Sequence, residues 1–129
     1  MAKRIREKTA ARKANADKRP CAHVTNIGYS SSKVCLVLDL VRGKKVEEAV
    51  AILRATTNAS AVVVRKLIES ATANAENNQG LDKNDLYVAE IYATQGPTLK
   101  RINIRARGRA DRVLKRTSNI TVILDKVNA

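Results

Sequence analysis

The chain has 129 residues, a length that accommodates one domain of modest size with a short extension. Hydrophobic residues make up 44% of it, but 19 of them are alanines and both Phe and Trp are absent, so any core is small. Lys and Arg number 25 against 12 acids, and the net charge of +13 excludes an acidic interaction module and indicates a polyanionic partner, either nucleic acid or an anionic membrane surface.

Other sequence classes are excluded by the pattern of apolar residues and cysteines. No apolar run approaches the roughly 18 residues of a membrane-spanning helix, and the first 20 residues lack the hydrophobic stretch of a secretory signal. Two cysteines, Cys21 and Cys35, are too few for a disulfide scaffold or a structural zinc site. We therefore expect a cytoplasmic protein with free thiols and no resident metal or cofactor.

The positive charge is confined to two segments that flank an electrically neutral middle. Residues 1–19 carry a net charge of +6 and residues 97–116 a net charge of +7, whereas residues 20–96 sum to zero. A segment of 20 residues with one acid repels itself unless a polyanion compensates the charge. We therefore interpret both basic segments as binding surfaces.

The first segment, residues 1–20, has no apolar periodicity and is rich in alanine and charge. This composition is typical of a chain that cannot bury enough apolar surface to fold alone. We predict a disordered basic extension that is able to become helical on binding, and a single domain over residues 21–129.

Three amphipathic helices follow a short strand predicted at residues 23–29. Apolar residues recur at helical spacing from Val34 to Val41, from Val46 to Leu53, and in a third segment that runs from about residue 58 to residue 78. Serines 30–32 are candidates for the first N-cap, and Gly43 and Gly80 are candidates for C-terminal caps.

After the helices the apolar period changes from 3.6 residues to two. Residues 86–93 and 119–124 predict strands, and Gly96-Pro97 predicts a bulge or an edge position because Pro cannot donate to a ladder. The two strands continue toward each other and meet near residues 105–109, where Gly108 supplies the turn. The segment from about residue 86 to residue 124 is thus predicted to be one long hairpin with its tip at about residues 102–109.

The middle of this hairpin is too polar to be buried by a small core, so it must protrude, by about 35 Å for arms of ten residues or more. An isolated two-stranded ribbon is marginal in water, and a basic one makes sense mainly when RNA encloses it. No aromatic residue lies in the projecting part, which argues for recognition of shape and backbone rather than stacking on bases.

Several spaced motifs resemble one family. These are SSSKVCLVLDLVRGKKVEEAV (residues 30–50), ESATANAENN (69–78), GPTLKR (96–101), RARGRADR (105–112) and KRTSNITV (115–122). Over residues 22–125 they closely resemble the bacterial form of large-ribosomal-subunit protein twenty-two, and the first 20 residues lie outside the resemblance. Cys35 stands where that family commonly has a basic residue, and Asn103 where the tip is often more basic or contains Met or Pro.

The resemblance implies an α+β fold, three helices packed on a small antiparallel sheet with a long protruding hairpin. It implies a structural constituent of the large subunit that binds large-subunit rRNA, supports subunit assembly, and lines the nascent-peptide exit tunnel with its hairpin, close to the macrolide antibiotic site. Its partners would be rRNA, neighbouring large-subunit proteins and the nascent polypeptide, with the chain a monomer in the ribosome.

The resemblance also assigns candidate residues. The rRNA-binding candidates at the globular base and along the hairpin are Lys33, Arg42, Lys44, Lys45, Lys100, Arg101, Arg105, Arg107, Arg109, Arg112, Lys115 and Arg116. The tunnel-lining candidates at the tip are Ile102, Asn103, Ile104, Arg105, Ala106, Arg107 and Gly108.

Three other classes of function fit the residues less well. His23 is the only histidine and has no nucleophile or carboxylate at a useful spacing, so an enzyme is not expected. An architectural DNA-binding protein with a basic β-ribbon is the alternative, but Pro97 lies at the base of the ribbon rather than at a wedge-forming tip. A membrane-surface peptide would need a Leu- or Trp-rich face that the basic segments lack.

Overall fold

The computed structural model describes residues 2–15 and 17–127 and has an α+β fold with a long projecting hairpin, as predicted. The hairpin consists of the second to the fifth strand. The helices are α1 (Ala2–Ala14), α2 (Ser31–Val41), α3 (Val46–Ala55) and α4 (Ala59–Gln79); the strands are β1 (Cys21–Ile27), β2 (Leu86–Gln95), β3 (Leu99–Ile104), β4 (Ala110–Lys115) and β5 (Ser118–Lys126).

The main sheet is antiparallel, with the strand order β1-β5-β2. The last strand, β5, therefore lies in the centre, and its Val122 is opposite both Ala22 and Ile91. Alternate residues of β5 are fully buried from Ser118 to Leu124, because one face of the sheet packs on the helices and the other faces solvent. The strand that closes the fold is the last to be synthesised.

The helices α2, α3 and α4 lie where the apolar periodicity predicts them. In α4 the Asn58 carboxamide oxygen accepts a hydrogen bond from the Ser60 backbone N–H at 3.1 Å, and Gly80 ends the helix in the left-handed conformation. Gly43 likewise adopts a positive φ just after α2. Ser30 occupies the N-cap position of α2, but its side chain makes no capping hydrogen bond.

The hairpin beyond the main sheet makes no contribution to the core. Between Ile91 and Ser118 no residue is buried, and residues 99–116 are all exposed. Strands β3 and β4 form a separate two-stranded ribbon. The prediction that this segment protrudes is confirmed.

The first strand begins and ends two residues earlier than predicted. The carbonyl of Pro20 accepts a hydrogen bond from the Leu124 N–H at 2.9 Å, which extends the ladder toward the N-terminus. At the other end a bulge and a positive φ at Asn26 end the strand before Tyr29. Neither feature has a local sequence signal strong enough to set the boundary.

The N-terminal segment has two features that its composition did not predict. Residues 2–14 form the helix α1, and residues 17–20 are docked on the domain. The Arg19 guanidinium contacts Asp17 at 2.6 Å and Glu90 of β2 at 2.7 Å, and the Gln79 carboxamide donates to the Lys18 carbonyl at 2.5 Å. The folded unit thus begins at about residue 17; residues 1 and 16 of the predicted extension and residues 128 and 129 of the predicted domain lie outside the described residues.

We call the contacts of Arg19 with Asp17 and Glu90 the clasp. The Arg19 side chain and backbone N–H donate hydrogen bonds to the Asp17 carboxylate and hold its pKa below the usual value. The side-chain hydrogen bonds that Arg19 donates to Asp17 and Glu90 in turn raise the pKa of Arg19. The clasp is partly exposed, so we regard it as a positional restraint rather than a major source of stability.

Candidate nucleic-acid interface

The ribbon carries positive charge on both of its faces. Directly paired residues of an antiparallel ladder share a face. One face consists of the pairs Lys100–Leu114, Ile102–Arg112 and Ile104–Ala110, and the other of Leu99–Lys115, Arg101–Val113 and Asn103–Asp111. Each face therefore presents two cations, and anions can neutralise the ribbon only by approaching it from both sides.

The tip is a tight turn rather than an extension of the strands. The Arg105 N–H donates to the Arg109 carbonyl at 2.8 Å, and both Arg107 and Gly108 have positive φ. For Gly108 this conformation is unstrained, whereas for Arg107 it carries a cost of about 1–3 kcal/mol. The turn places Arg107 beyond the last strand pair, Ile104–Ala110.

Among the tip candidates, charge and apolar surface are both available to a partner. Ile102 and Ile104 are 75% and 82% exposed. Arg105 is already committed in part, because its Nε lies 2.7 Å from the Asp111 carboxylate. The structure thus places the tip candidates in two groups: Ile102, Asn103 and Ile104 on β3, and residues 105–108 in the turn.

Three of the predicted rRNA-binding cations meet at the base of the ribbon. Lys33 of α2, Lys115 at the end of β4 and the following Arg116 line an open cleft of about 440 Å³, together with Tyr29 and Ser30. The antiparallel return of the hairpin brings residues 115–116 beside the start of α2, more than 80 positions earlier in the chain. We call this cleft the junction cleft.

A second cleft of about 360 Å³ adjoins the junction cleft. The two share Ser30, Arg116 and Thr117, and the second also includes Ser31 and Ser32 at the first turn of α2. Because the Ser30 hydroxyl does not cap the helix, the positive end of the helix dipole faces this cleft unscreened by a capping oxygen. Sequence reasoning missed Tyr29 and Ser30 as lining residues, since only the tertiary fold places them beside Arg116.

The remaining predicted base contacts, Arg42, Lys44 and Lys45, lie apart from the junction cleft. They follow the C-terminus of α2, which lies about 12 Å along the helix axis from Lys33. Arg42 contacts Asp39 at 2.8 Å and Lys44 contacts Glu48 at 3.0 Å. These two side chains are already paired with acids of the protein.

Lys45 lies in a third cleft, of about 360 Å³, that also includes Lys126. Sequence reasoning missed Lys126 because its position opposite Leu86 depends on the register of β2 and β5. Lys45 lies near it because an isolated β-bridge pairs Lys45 with Tyr87, the residue after Leu86. These two lysines form a second basic spot on the body of the domain.

Residues that carry other kinds of chemistry do not assemble in the described part of the chain. Cys21 and Cys35 are free thiols, and His23 lies on an exposed position of β1 opposite Thr121. Within residues 2–15 and 17–127 no three His, Cys, Asp or Glu side chains form a group that could hold a metal ion. None of the helices described is both long and apolar enough to cross a membrane.

Comparisons with known proteins match nearly the whole domain. The family model for ribosomal protein L22p/L17e matches residues 22–125. A protein of Acetivibrio thermocellus called large ribosomal subunit protein uL22 is 59% identical over 95 residues, which cover 74% of this chain and 76% of the relative. The protein of that name from Lachnospira eligens is 48% identical over 115 residues, which cover 89% of this chain and 90% of the relative. The one from Clostridium novyi is 59% identical over 98 residues, which cover 76% of this chain and 88% of the relative. This chain therefore belongs to the ribosomal protein L22p/L17e family.

Proposed function

We propose that this chain is a structural constituent of the large ribosomal subunit that binds large-subunit rRNA mainly through its hairpin. Membership of a ribosomal protein family sets the class of function, and the distribution of charge supports the mode of binding. The observation that carries the proposal is a ribbon outside the core with cations on both faces. Such a ribbon is marginal in water alone, and RNA around it would neutralise both faces at once.

Binding would be driven largely by counterion release. Each Lys or Arg that neutralises a phosphate releases condensed cations from the RNA, so log affinity falls with log salt by about 0.7–0.9 per contact. The hairpin segment of residues 97–116 has eight cations and one acid, and that acid is paired with Arg105. The seven remaining cations are free to meet phosphates.

At the base of the hairpin, the junction cleft is suited to an RNA phosphate. Lys33, Lys115 and Arg116 line it from two elements, and the unsatisfied start of α2 faces the adjoining cleft. Lys45, with Lys126, would be a second and weaker base contact. Arg42 and Lys44 would contribute less, because each must give up an acidic partner or share it.

The tip of the hairpin would line the nascent-peptide exit tunnel, as the family resemblance implies. Ile102 and Ile104 are the most exposed large apolar side chains of the hairpin. RNA phosphates are charged and cannot form an apolar contact with these two side chains. They are suited to the wall of a passage that polypeptides of mixed polarity traverse. The partners of the protein are then rRNA, neighbouring large-subunit proteins and the nascent polypeptide.

The proposal is tested by the salt dependence of binding to large-subunit rRNA transcribed in vitro. We expect the triple variant R101Q/R109Q/R112Q to reduce the slope of log affinity against log salt by about two to three. The matched control is R54Q/K66Q/K83Q, which removes the same charge from exposed positions of the neutral middle.

Three results would contradict the proposal. They are a wild-type slope near zero, an equal loss of slope in the control variant, and tighter binding to duplex DNA than to the rRNA. The last would favour the architectural DNA-binding alternative. The proposed function is supported if the wild type binds the RNA with a steep slope and only the hairpin variant reduces that slope.

A further inference from the structure

We infer that the N-terminal helix α1 is a second RNA-binding element, held by the clasp at the end of the domain opposite the hairpin. This inference rests on the proposed function and adds a contact outside residues 22–125, the part that the family model covers. Four features of the structure carry it: a stripe of like charge, the point where the helix leaves the domain, its anchoring, and the absence of an apolar face.

A single face of α1 carries cations at every turn. Arg4, Lys8 and Arg12 follow at a spacing of four residues, all are exposed, and none forms an ion pair within residues 2–15 and 17–127. Like charges at this spacing repel each other in an isolated helix. The three span about 12 Å along the helix axis, so a polyanion laid along this face would turn a destabilising stripe into a binding surface.

The helix leaves the domain far from the hairpin. Cys21, where β1 begins, is opposite Ile123, whereas Ile27, where β1 ends, is opposite Ser118 at the base of the hairpin. The six residue-to-residue steps of this seven-residue strand separate the two ends by about 20 Å. A nucleic acid that encloses the hairpin therefore does not have to be the segment that meets α1.

The connection between α1 and the domain is anchored on three sides. Arg19 binds Glu90 of β2, the Lys18 carbonyl accepts from Gln79 of α4, and the Pro20 carbonyl accepts from Leu124 of β5. Only residues 15 and 16 then separate α1 from docked chain. Anchoring so close to the helix limits the volume that α1 can explore, and this raises its effective concentration near RNA bound to the same domain.

The composition of α1 favours RNA over a membrane or an apolar protein groove. Ile5 is its one large apolar residue and is 64% exposed, so no apolar stripe is available to insert into lipid or into a groove. A helix of 13 residues without tertiary packing is marginal in water. We therefore expect the helical content of α1 to rise when it binds phosphates, since its composition predicts disorder in the free chain.

The test uses the full-length protein and protein-free large-subunit rRNA. We expect the variant R4Q/K8Q/R12Q to lose about two to three units of the salt slope, whereas the control R54Q/K66Q/K83Q loses none. Because the two elements lie at opposite ends of the sheet, the losses of this variant and of R101Q/R109Q/R112Q should add in the combined variant. Thermal unfolding of each variant without RNA confirms that the fold is retained.

The outcomes separate this inference from the proposed function. If the hairpin variant loses slope and the α1 variant behaves as the control does, the helix is a solvated extension and only this inference fails. If no variant changes the slope, the proposed function fails as well. If the α1 variant binds rRNA as the wild type does but loses binding to vesicles of anionic phospholipid, the partner of α1 is a membrane surface and the inference is wrong.

Discussion

At the scale of single residues, the most constrained position is the neck where the main sheet becomes the ribbon. The Gly96 N–H donates to the Thr117 carbonyl at 2.9 Å, and the Thr117 hydroxyl donates to the Pro97 carbonyl at 2.6 Å. A Cβ on Gly96 would overlap that hydroxyl and lie 3.3 Å from the Thr117 carbonyl carbon. Glycine is therefore needed here for close approach of the two strands rather than for its φ.

We predict that Gly96→Ala lowers the free energy of unfolding by about 1–3 kcal/mol, because the new Cβ overlaps the Thr117 hydroxyl and forces the two strands apart. Combined with Thr117→Ala, which removes the overlapping atom, the substitution should cost much less, and chemical denaturation of the four proteins gives the coupling energy. Gly28→Ala is the matched control, since nothing lies within 4 Å of its Cβ and its φ is ordinary. Equal effects of the two glycine substitutions would refute the overlap.

At the scale of elements, the ribbon of β3 and β4 is separable from the body. No buried residue lies between Ile91 and Ser118. We predict that replacing residues 97–116 by an Asn-Gly turn leaves the free energy of unfolding unchanged or raises it by up to about 2 kcal/mol, because a shorter loop costs less entropy to close. Circular dichroism and urea denaturation check this, with Leu124→Ala as the destabilising control at about 2–5 kcal/mol. Loss of cooperative unfolding in the shortened protein would show that the ribbon supports the body.

The same scale explains what the sequence could and could not predict. The helices α2 to α4 follow from local periodicity and from caps such as Asn58 and Gly80, whose effects lie within a few residues. The junction cleft does not, because Lys33 meets Arg116 only through strand pairing between distant parts of the chain. The segment before β1 was also beyond local reasoning, since Arg19 is positioned by Glu90 in another strand. The sequence predicts that the hairpin cations are exposed. Their distribution over both faces of the ribbon could be known only from the register in which β3 pairs with β4.

At the scale of the whole molecule, the charge and the stability reside in different parts. Residues 20–96 and residues 117–129, which together form the body, are each neutral overall, and the two basic segments leave the sheet at opposite ends. Their separation of about 20 Å exceeds the Debye length of roughly 8 Å at physiological salt. The two basic segments therefore repel each other little in the free protein, so their charge does not prevent the body from folding.

Completion of the body depends on its last strand. Strand β5 pairs with both β1 and β2 and buries Ile120, Val122 and Leu124 against the helices. Without it, β1 and β2 have no partner in the sheet, and α2 and α4 lose its buried side chains from the surface on which they pack. The ribbon of β3 and β4, which precedes β5 in the chain, is thus synthesised before the body can close.

We predict that a chain ending at Thr117 has no cooperative thermal transition, although it loses only 12 residues. The hairpin-shortened protein is the matched control, because it loses 20 residues of the hairpin and should still unfold cooperatively. Far-ultraviolet circular dichroism and amide exchange on both proteins make the comparison, with protected amides expected in α4 of the control and not of the truncated chain. A cooperative transition in the truncated chain would mean that the helices with β1 and β2 form a stable unit, and that the central strand is added to a body already folded.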